Sequence, residues 1–185
     1  GKMNRRTAIQ RLATFFLTAA SLAEAQQPKK VARIGFLAAT TRTGIAHHTE
    51  AFLQGLRELG YIESQNIVIE YRWADGNFER LPELAADLVR LKVDVIVAAV
   101  TQASLAAKNA TGTIPIVMVG VGNPVDSGLI ASLARPGANI TGTSTMLDEV
   151  VGKQLELLKE TFPKISRVAV MWNPANPVFQ KLLLR

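Results

Sequence analysis

The chain contains no cysteine, and only two of its 185 residues are histidines. We therefore expect no disulfide bond, thiolate zinc site, cysteine nucleophile or lipid-modified cysteine anchor. The histidines, His47 and His48, are adjacent in the sequence. Neighbouring residues of a helix point to different sides, so we expect no shared metal face. A histidine-rich metal centre would need a third histidine, which the chain lacks, and the sequence predicts no metal site.

The motifs of common nucleotide-binding and hydrolytic enzymes are also missing. Residues 120–125 come nearest to a dinucleotide fingerprint but lack its third glycine and carry Pro124 where the helix should begin. No Gly-Lys-Ser/Thr phosphate loop occurs, and residues 142–146 fail the last position of the hydrolase nucleophile elbow. Carboxylates near loops leave an acid–base enzyme open, but helix caps and turns explain each of them. We predict a protein that is not an enzyme and has no cofactor.

The positive charge of the chain is concentrated at one end. The formal net charge is +6, but residues 1–25 hold four of the 21 basic residues and one of the 15 acidic ones, which leaves +3 for the remainder. Beyond residue 25 the only basic run is the pair Lys29 and Lys30. Nucleic-acid binding requires a clustered basic surface. We therefore expect no nucleic-acid partner.

Residues 1–25 have the organisation of a secretory signal peptide. Arg5 and Arg6 precede a short apolar run, residues 12–20, and an Ala-x-Ala site ends at Ala25, where we expect cleavage. The apolar run is about half the ~20 residues that cross a bilayer, so we expect no stable membrane insertion. The paired arginines leave Sec and twin-arginine export both open. An amphipathic helix of a cytosolic protein is the alternative.

From Val31 onwards the sequence alternates between strand and helix patterns, which predicts an α/β fold with a parallel sheet. Two nearly all-apolar runs, 93–100 and 114–119, are typical of central strands buried on both faces. The full set of predicted strands is 31–37, 66–71, 93–100, 114–119, 139–144 and 167–172. The predicted helices follow Ala46, Asn77 and Thr101, begin again at Asp126 or Ser127 and at Asp148, and start once more at Pro177.

The last predicted helix has no terminating residue, and the final strand and helix have no partner to cover their apolar faces. We therefore expect three segments: the signal peptide 1–25, an N-terminal α/β lobe 26–144, and the truncated beginning of a second α/β lobe, 145–185.

Hydroxyl and amide side chains follow the predicted strands. Parallel sheets bind ligands beyond the carboxyl ends of their strands. Small polar side chains beside helix N-termini hold a carboxylate without titrating, as reversible binding requires. The alternative is that each residue only caps a helix or fills a turn. The candidate ligand-binding residues are Thr40, Thr41, Thr101, Gln102, Asn123, Ser144, Thr145, Asn173 and Asn176.

Several segments resemble the ABC-transporter substrate-binding family that includes the tryptophan/tyrosine-type binding proteins. The resemblance extends over the whole mature chain and departs from the usual pattern at Asn123, where the family more often has aspartate. The matching segments are 123–142 (NPVDSGLIASLARPGANITG), 152–160 (GKQLELLKE), 167–177 (RVAVMWNPANP), and AQQP at 25–28 followed by IGFL at 34–37.

The resemblance implies a type I periplasmic-binding fold, with two lobes that close on a small organic solute such as an amino acid or a similar carboxylate. First-lobe contacts would come from Thr40–Thr41, Thr101–Gln102 and Asn123, and the lobes would join near Thr143–Thr145. Asn173 and Asn176 would face the cleft from the second lobe. The implied partner is the membrane permease of an ABC importer, and the implied location is the periplasm. An extracytoplasmic ligand-sensing receptor domain and a cytosolic α/β enzyme remain as alternative functions.

Overall fold

The computed structural model describes residues 31–171, with residues 147–149 described by their backbone alone. The described chain forms one five-stranded, all-parallel sheet in the order β2-β1-β3-β4-β5, with helices in the connections. The predicted α/β fold class is therefore confirmed. The strands are β1 Ala32–Ala38, β2 Ile67–Trp73, β3 Val95–Ala99, β4 Ile116–Val121 and β5 Ile140–Ser144. The helices are α1 Ala46–Glu58, α2 Leu81–Arg90, α3 Val100–Ala110 and α4 Leu147–Thr161, and a 3₁₀ helix, Phe78–Arg80, precedes α2.

The strand order decides which face of the sheet each helix covers. The chain steps from β1 to one side to form β2, and every later step runs the opposite way, to β3, β4 and β5. Parallel connections are almost always right-handed, so reversing the direction of the step moves the connecting helix to the other face. As a result, α1 packs on one face while α2 and α3 pack on the other.

The face covered by α2 and α3 holds the larger hydrophobic core. Leu88 of α2 is fully buried, and its side chain fits against β1 at Gly35, where a Cβ atom would lie 3.0 Å from the leucine methyl groups. Leu37 and Ile96 of the central strands point into the same cluster. The leucines predicted at helical spacing therefore become the contact surface between α2 and the sheet.

The face covered by α1 is built around Phe36. Its ring lies 5.7 Å from that of Phe52 in α1 and 5.5 Å from that of Trp73 in β2. Trp73 in turn stacks on Tyr71 at 5.8 Å, so it belongs to this aromatic cluster. The helix α1 covers mainly β1 and β2, and Val119 of β4 remains 42% exposed.

The helix predicted from Asp126 or Ser127 to Arg135 does not form. Residues 124–128 make a single turn, and the chain to residue 139 is irregular. Gly128 takes φ +74°, which ends the turn, and the amides of Leu129 and Ile130 both donate to the carbonyl of Pro124. Their two apolar side chains are buried in the core. The apolar residues whose spacing predicted a helix therefore anchor an irregular loop to the core.

The end of the described chain also differs from the prediction. Residues 167–171, the described part of the predicted strand 167–172, are exposed and pair with no described strand. A strand needs a neighbour for its backbone groups, and none is present among residues 31–171. Helix α4 forms as predicted, with its apolar side chains Leu155 and Leu157 exposed. No helix within residues 31–171 is long and apolar enough to cross a membrane.

Three predictions concern residues outside the described range: the signal peptide 1–25, the helix from Pro177, and Asn173 with Asn176. The predicted lobe boundary after residue 144 coincides with the end of β5, and the second lobe stays a prediction.

Candidate functional site

A cavity of about 240 Å³ opens at the carboxyl ends of β1 and β3. These neighbouring strands send their connections to opposite faces of the sheet, so a crevice forms between the two connections. Open α/β sheets bind ligands at such a switch point. We call this space the switch-point cavity. It is lined by Ala39, Thr40, Ile45, Gly76, Phe78, Ala99, Val100 and Gln102.

The N-terminus of α3 borders this cavity. Strand β3 ends at Ala99 and the helix begins at Val100, and no side chain caps the helix. Uncapped amides at a helix N-terminus carry a partial positive charge that favours anions. Gln102 lies in the cavity lining, whereas Thr101 is 3% exposed and lies outside it. Neither side chain makes a hydrogen bond within the described chain.

Val100 makes the turn from strand to helix within a single residue. Its φ is +68°, in the left-handed region, which for a β-branched residue is an outlier that costs about 1–3 kcal/mol. The hydroxyl of Ser104, fully buried, lies 2.8 Å from the Val100 carbonyl oxygen, to which it donates, and 3.3 Å from that of Ala98. Sequence reasoning missed Val100, because a valine does not signal a left-handed turn.

The loop after β1 supplies a second polar group to the cavity. Thr40 lies in its lining, and a Cβ atom at Gly44 would lie 2.7 Å from the Thr40 hydroxyl oxygen, so the glycine leaves room for the threonine. The hydroxyl of Thr41 instead accepts from the Gly44 amide at 3.1 Å and lies 3.2 Å from that of Thr43. Thr41 therefore closes its own turn.

Asn123 holds the turn that follows β4. Its side-chain oxygen accepts from the Asp126 amide at 3.0 Å, and its nitrogen donates to the Asp126 carboxylate at 3.1 Å. The residue is 9% exposed and is not part of the cavity lining. In the described structure its polar atoms serve the local turn.

Ser144 and Thr145 fasten the chain to β4 where it leaves the sheet. The Ser144 hydroxyl donates to the Gly122 carbonyl at 3.3 Å and accepts from the Met146 amide at 3.1 Å. The Thr145 amide and hydroxyl both donate to the Val121 carbonyl, at 2.8 Å and 3.3 Å. Met146 then takes φ +45° immediately before α4.

Of the predicted site residues, the structure therefore brings Thr40 and Gln102 into one cavity, with Thr101 buried in the adjoining helical turn. Thr41, Asn123, Ser144 and Thr145 are engaged in backbone hydrogen bonds. Any role of these seven residues in ligand binding stays a prediction.

None of the eight residues that line the switch-point cavity has a titratable side chain. Elsewhere, burial raises the pKa of Tyr71 to about 12, and the Glu63 carboxylate, 3.4 Å from its hydroxyl, adds to this rise. Tyr71 is therefore protonated near neutral pH. The side chains of Thr40 and Gln102 offer the cavity hydrogen-bonding groups without charge.

The expectation that His47 and His48 point apart is wrong, since their ring centroids lie 3.9 Å from each other. Both residues are exposed at the first turn of α1, where side chains are free to rotate towards each other. Within the described part of the chain, no group of three or more histidine or carboxylate side chains is arranged to hold a metal ion.

An apolar groove of about 160 Å³ adjoins the cavity on the α1 face of the sheet. Phe36 and Phe52 provide its aromatic surface, and Val119 provides its wall on β4. Three residues line both the groove and the switch-point cavity: Ile45, Ala99 and Val100.

Comparison with protein families matches residues 33–182 to the model described as ABC transporter substrate binding protein. A curated protein from Clostridioides difficile, named tyrosine-binding protein, is 35% identical over 148 residues. That alignment covers 80% of this chain and 42% of the relative. The chain thus spans less than half the length of this curated relative.

Solved structures have the same fold. A conserved domain protein from Vibrio cholerae superposes with TM-score 0.74 at 30% identity, over 84% of this chain and 53% of that protein. An ABC domain in complex with L-Trp from Streptococcus pneumonia gives TM-score 0.73 at 22% identity, over 83% of this chain and 51% of that one. At that identity the second match supports the fold alone.

Proposed function

We propose that this chain, which belongs to the ABC transporter substrate-binding protein family, binds a small solute. The observation that carries the proposal is the switch-point cavity, which combines the uncapped N-terminus of α3 with the side chains of Thr40 and Gln102. These groups can hold and release an anion, and none of them titrates. We therefore assign the chain a binding role rather than an enzymatic one.

The ligand we propose is an amino acid or a similar small carboxylate. Its carboxylate would lie at the N-terminus of α3, where backbone amides and the helix dipole favour negative charge. Thr40 and Gln102 would donate to the carboxylate or to other polar atoms of the ligand. The name of the Clostridioides difficile relative, tyrosine-binding protein, supports an amino-acid ligand.

We further propose that the chain provides the first of two lobes that close on the solute. The relatives are about twice as long as the matched region, and the exposed apolar residues of α4 suit packing against another element. Ligand that contacts both lobes would shift the population towards the closed form. The closed form would then present the solute to an ABC permease. This model requires export to the periplasm, which recovery of a chain beginning at Gln26 from the periplasmic fraction would support.

The replacement of Gln102 by glutamate tests the carboxylate site directly. Gln102→Glu keeps the size of the side chain but adds a negative charge beside the uncapped helix. We expect the affinity for tyrosine to fall at least about tenfold, equivalent to about 1.4 kcal/mol. The melting temperature should stay unchanged or rise, because an acidic residue in the first turn stabilises a helix.

Calorimetric titration with tyrosine and with tyrosine amide completes the experiment. The amide lacks the carboxylate, so its binding to the Gln102→Glu protein should decrease much less. Gln65→Glu, outside the cavity, is the control for the added charge. Equal losses for tyrosine and tyrosine amide would place the carboxylate elsewhere, and a wild-type chain that binds neither tyrosine nor alanine would contradict the proposed function.

A further inference from the structure

Val100 occupies a conformation that glycine would adopt without steric cost. Because α3 follows β3 without an intervening loop, the chain must reverse direction at this one position. The buried Ser104 hydroxyl donates a hydrogen bond of 2.8 Å to the Val100 carbonyl and so stabilises the turn. The valine side chain is therefore fixed in place by its backbone and is 40% exposed.

The Val100 side chain lies between two neighbouring hollows of the surface. The switch-point cavity and the apolar groove both include Val100 in their lining. Ile45 and Ala99 are shared as well but are less exposed. On one side of Val100 lie the polar groups of Thr40 and Gln102, and on the other side lie Phe52 and Val119.

We infer that Val100 determines ligand selectivity by separating the switch-point cavity from the apolar groove. This inference rests on the proposed solute-binding function. A ligand whose carboxylate lies at α3 can extend its side chain only as far as the valine methyl groups. Truncation of the valine opens the cavity to the groove, whose phenylalanines favour contact with an aromatic ring.

The first arm of the test measures the separation without using an amino-acid ligand. Indole, a small aromatic probe, is titrated into the ¹⁵N-labelled chain and the backbone amide shifts are followed by NMR. In the wild type we expect shifts at Val119 and Gly120 of the groove but not at Gly76 and Gln102 of the cavity. In Val100→Ala the shifts should extend to Gly76 and Gln102. Identical shift patterns in the two proteins would overturn the inference.

The second arm measures selectivity. Calorimetry with tyrosine and alanine should show the ratio of their affinities changing at least about tenfold in favour of tyrosine in Val100→Ala. Val125→Ala is the matched control, because Val125 is also 40% exposed but lines neither hollow. An unchanged ratio in Val100→Ala would overturn the selectivity role. A wild-type chain that binds indole but neither amino acid would contradict the proposed function and, with it, the selectivity role, while the NMR arm still decides the separation.

A third variant separates the effect of the backbone from that of the side chain. Val100→Gly removes the same methyl groups as Val100→Ala and also relieves the left-handed strain. It should therefore melt at a higher temperature than Val100→Ala while giving the same indole and selectivity results. A melting temperature equal to or below that of Val100→Ala would contradict the strain at this position.

Discussion

The two halves of the sheet's carboxyl edge carry similar side chains that are used differently. At the ends of β1 and β3, Thr40 and Gln102 face the switch-point cavity and make no hydrogen bond within the described chain. At the ends of β4 and β5, Asn123 and Ser144 bond to nearby backbone groups. A polar residue after a strand is therefore an equally good candidate for ligand binding or for turn closure. The two roles are distinguished by whether its side chain already makes hydrogen bonds within the described chain. Replacements in the β4–β5 half should reduce stability, and replacements in the β1–β3 half should reduce binding.

The largest effect on stability is expected at Gly142 in β5. Its φ is +145°, and a Cβ atom there would overlap the carbonyl group of Met118 in β4. Gly142→Ala should lower the free energy of unfolding by about 3 kcal/mol or more, since the clash is with backbone that has no rotamer to change. Urea denaturation followed by circular dichroism measures this loss.

Gly112→Ala is the control for Gly142→Ala, because an added Cβ at Gly112 meets open space. We expect a change within about 0.5 kcal/mol for that variant. An equally small change in the free energy of unfolding for Gly142→Ala would contradict the close contact between β4 and β5.

Asn123 should give an intermediate effect. Asn123→Ala removes the acceptor for the Asp126 amide and the donor to the Asp126 carboxylate in a largely buried turn. The free energy of unfolding should fall by about 1–2 kcal/mol, as measured by the same denaturation. Asn109→Ala, at an exposed helical position without a side-chain hydrogen bond in the described chain, should cause no loss. A variant that binds ligand more weakly but unfolds like the wild type would instead assign Asn123 to the ligand.

Thr40 should give the smallest effect on stability and a clear effect on binding. Thr40→Val keeps the shape of the side chain but removes its hydroxyl, which has no partner among residues 31–171. We expect a change in unfolding free energy within about 0.5 kcal/mol and an amino-acid affinity lowered about fivefold or more, as for loss of one hydrogen bond. Thr141→Val on β5 provides the matched comparison in calorimetry and denaturation. A stability loss above 1 kcal/mol with unchanged affinity would make the two halves of the edge alike.

Much of the fold could be predicted from the sequence because its signals are local. Strands β3 and β4 are continuous apolar runs, and α2 has its leucines at helical spacing after the cap at Asn77. The irregular segment after Asn123 was mispredicted because Leu129 and Ile130 have helical spacing, whereas Gly128 and the contacts of their side chains decide the outcome. That decision depends on the tertiary packing, which spacing alone does not describe.

The candidate site could be predicted only in part. The rule that ligands bind beyond strand ends selects Thr40, Gln102 and Ser144 alike. It does not predict that the first two line one cavity while the Ser144 hydroxyl bonds to Gly122. The partners of a hydroxyl depend on which backbone carbonyls the fold brings near it. Val100 carried no signal, since its left-handed angle follows from the direct junction of β3 and α3 rather than from its own side chain.

The interior position of β1 in the sheet also determines when the protein can fold. Its two neighbours are β2 and β3, and Ile34 pairs with Val95, far along the chain. A nascent chain that ends before β3 leaves one edge of β1 without its partner strand, so cooperative folding must wait until residues 95–99 have left the ribosome. Such long-range pairing slows folding.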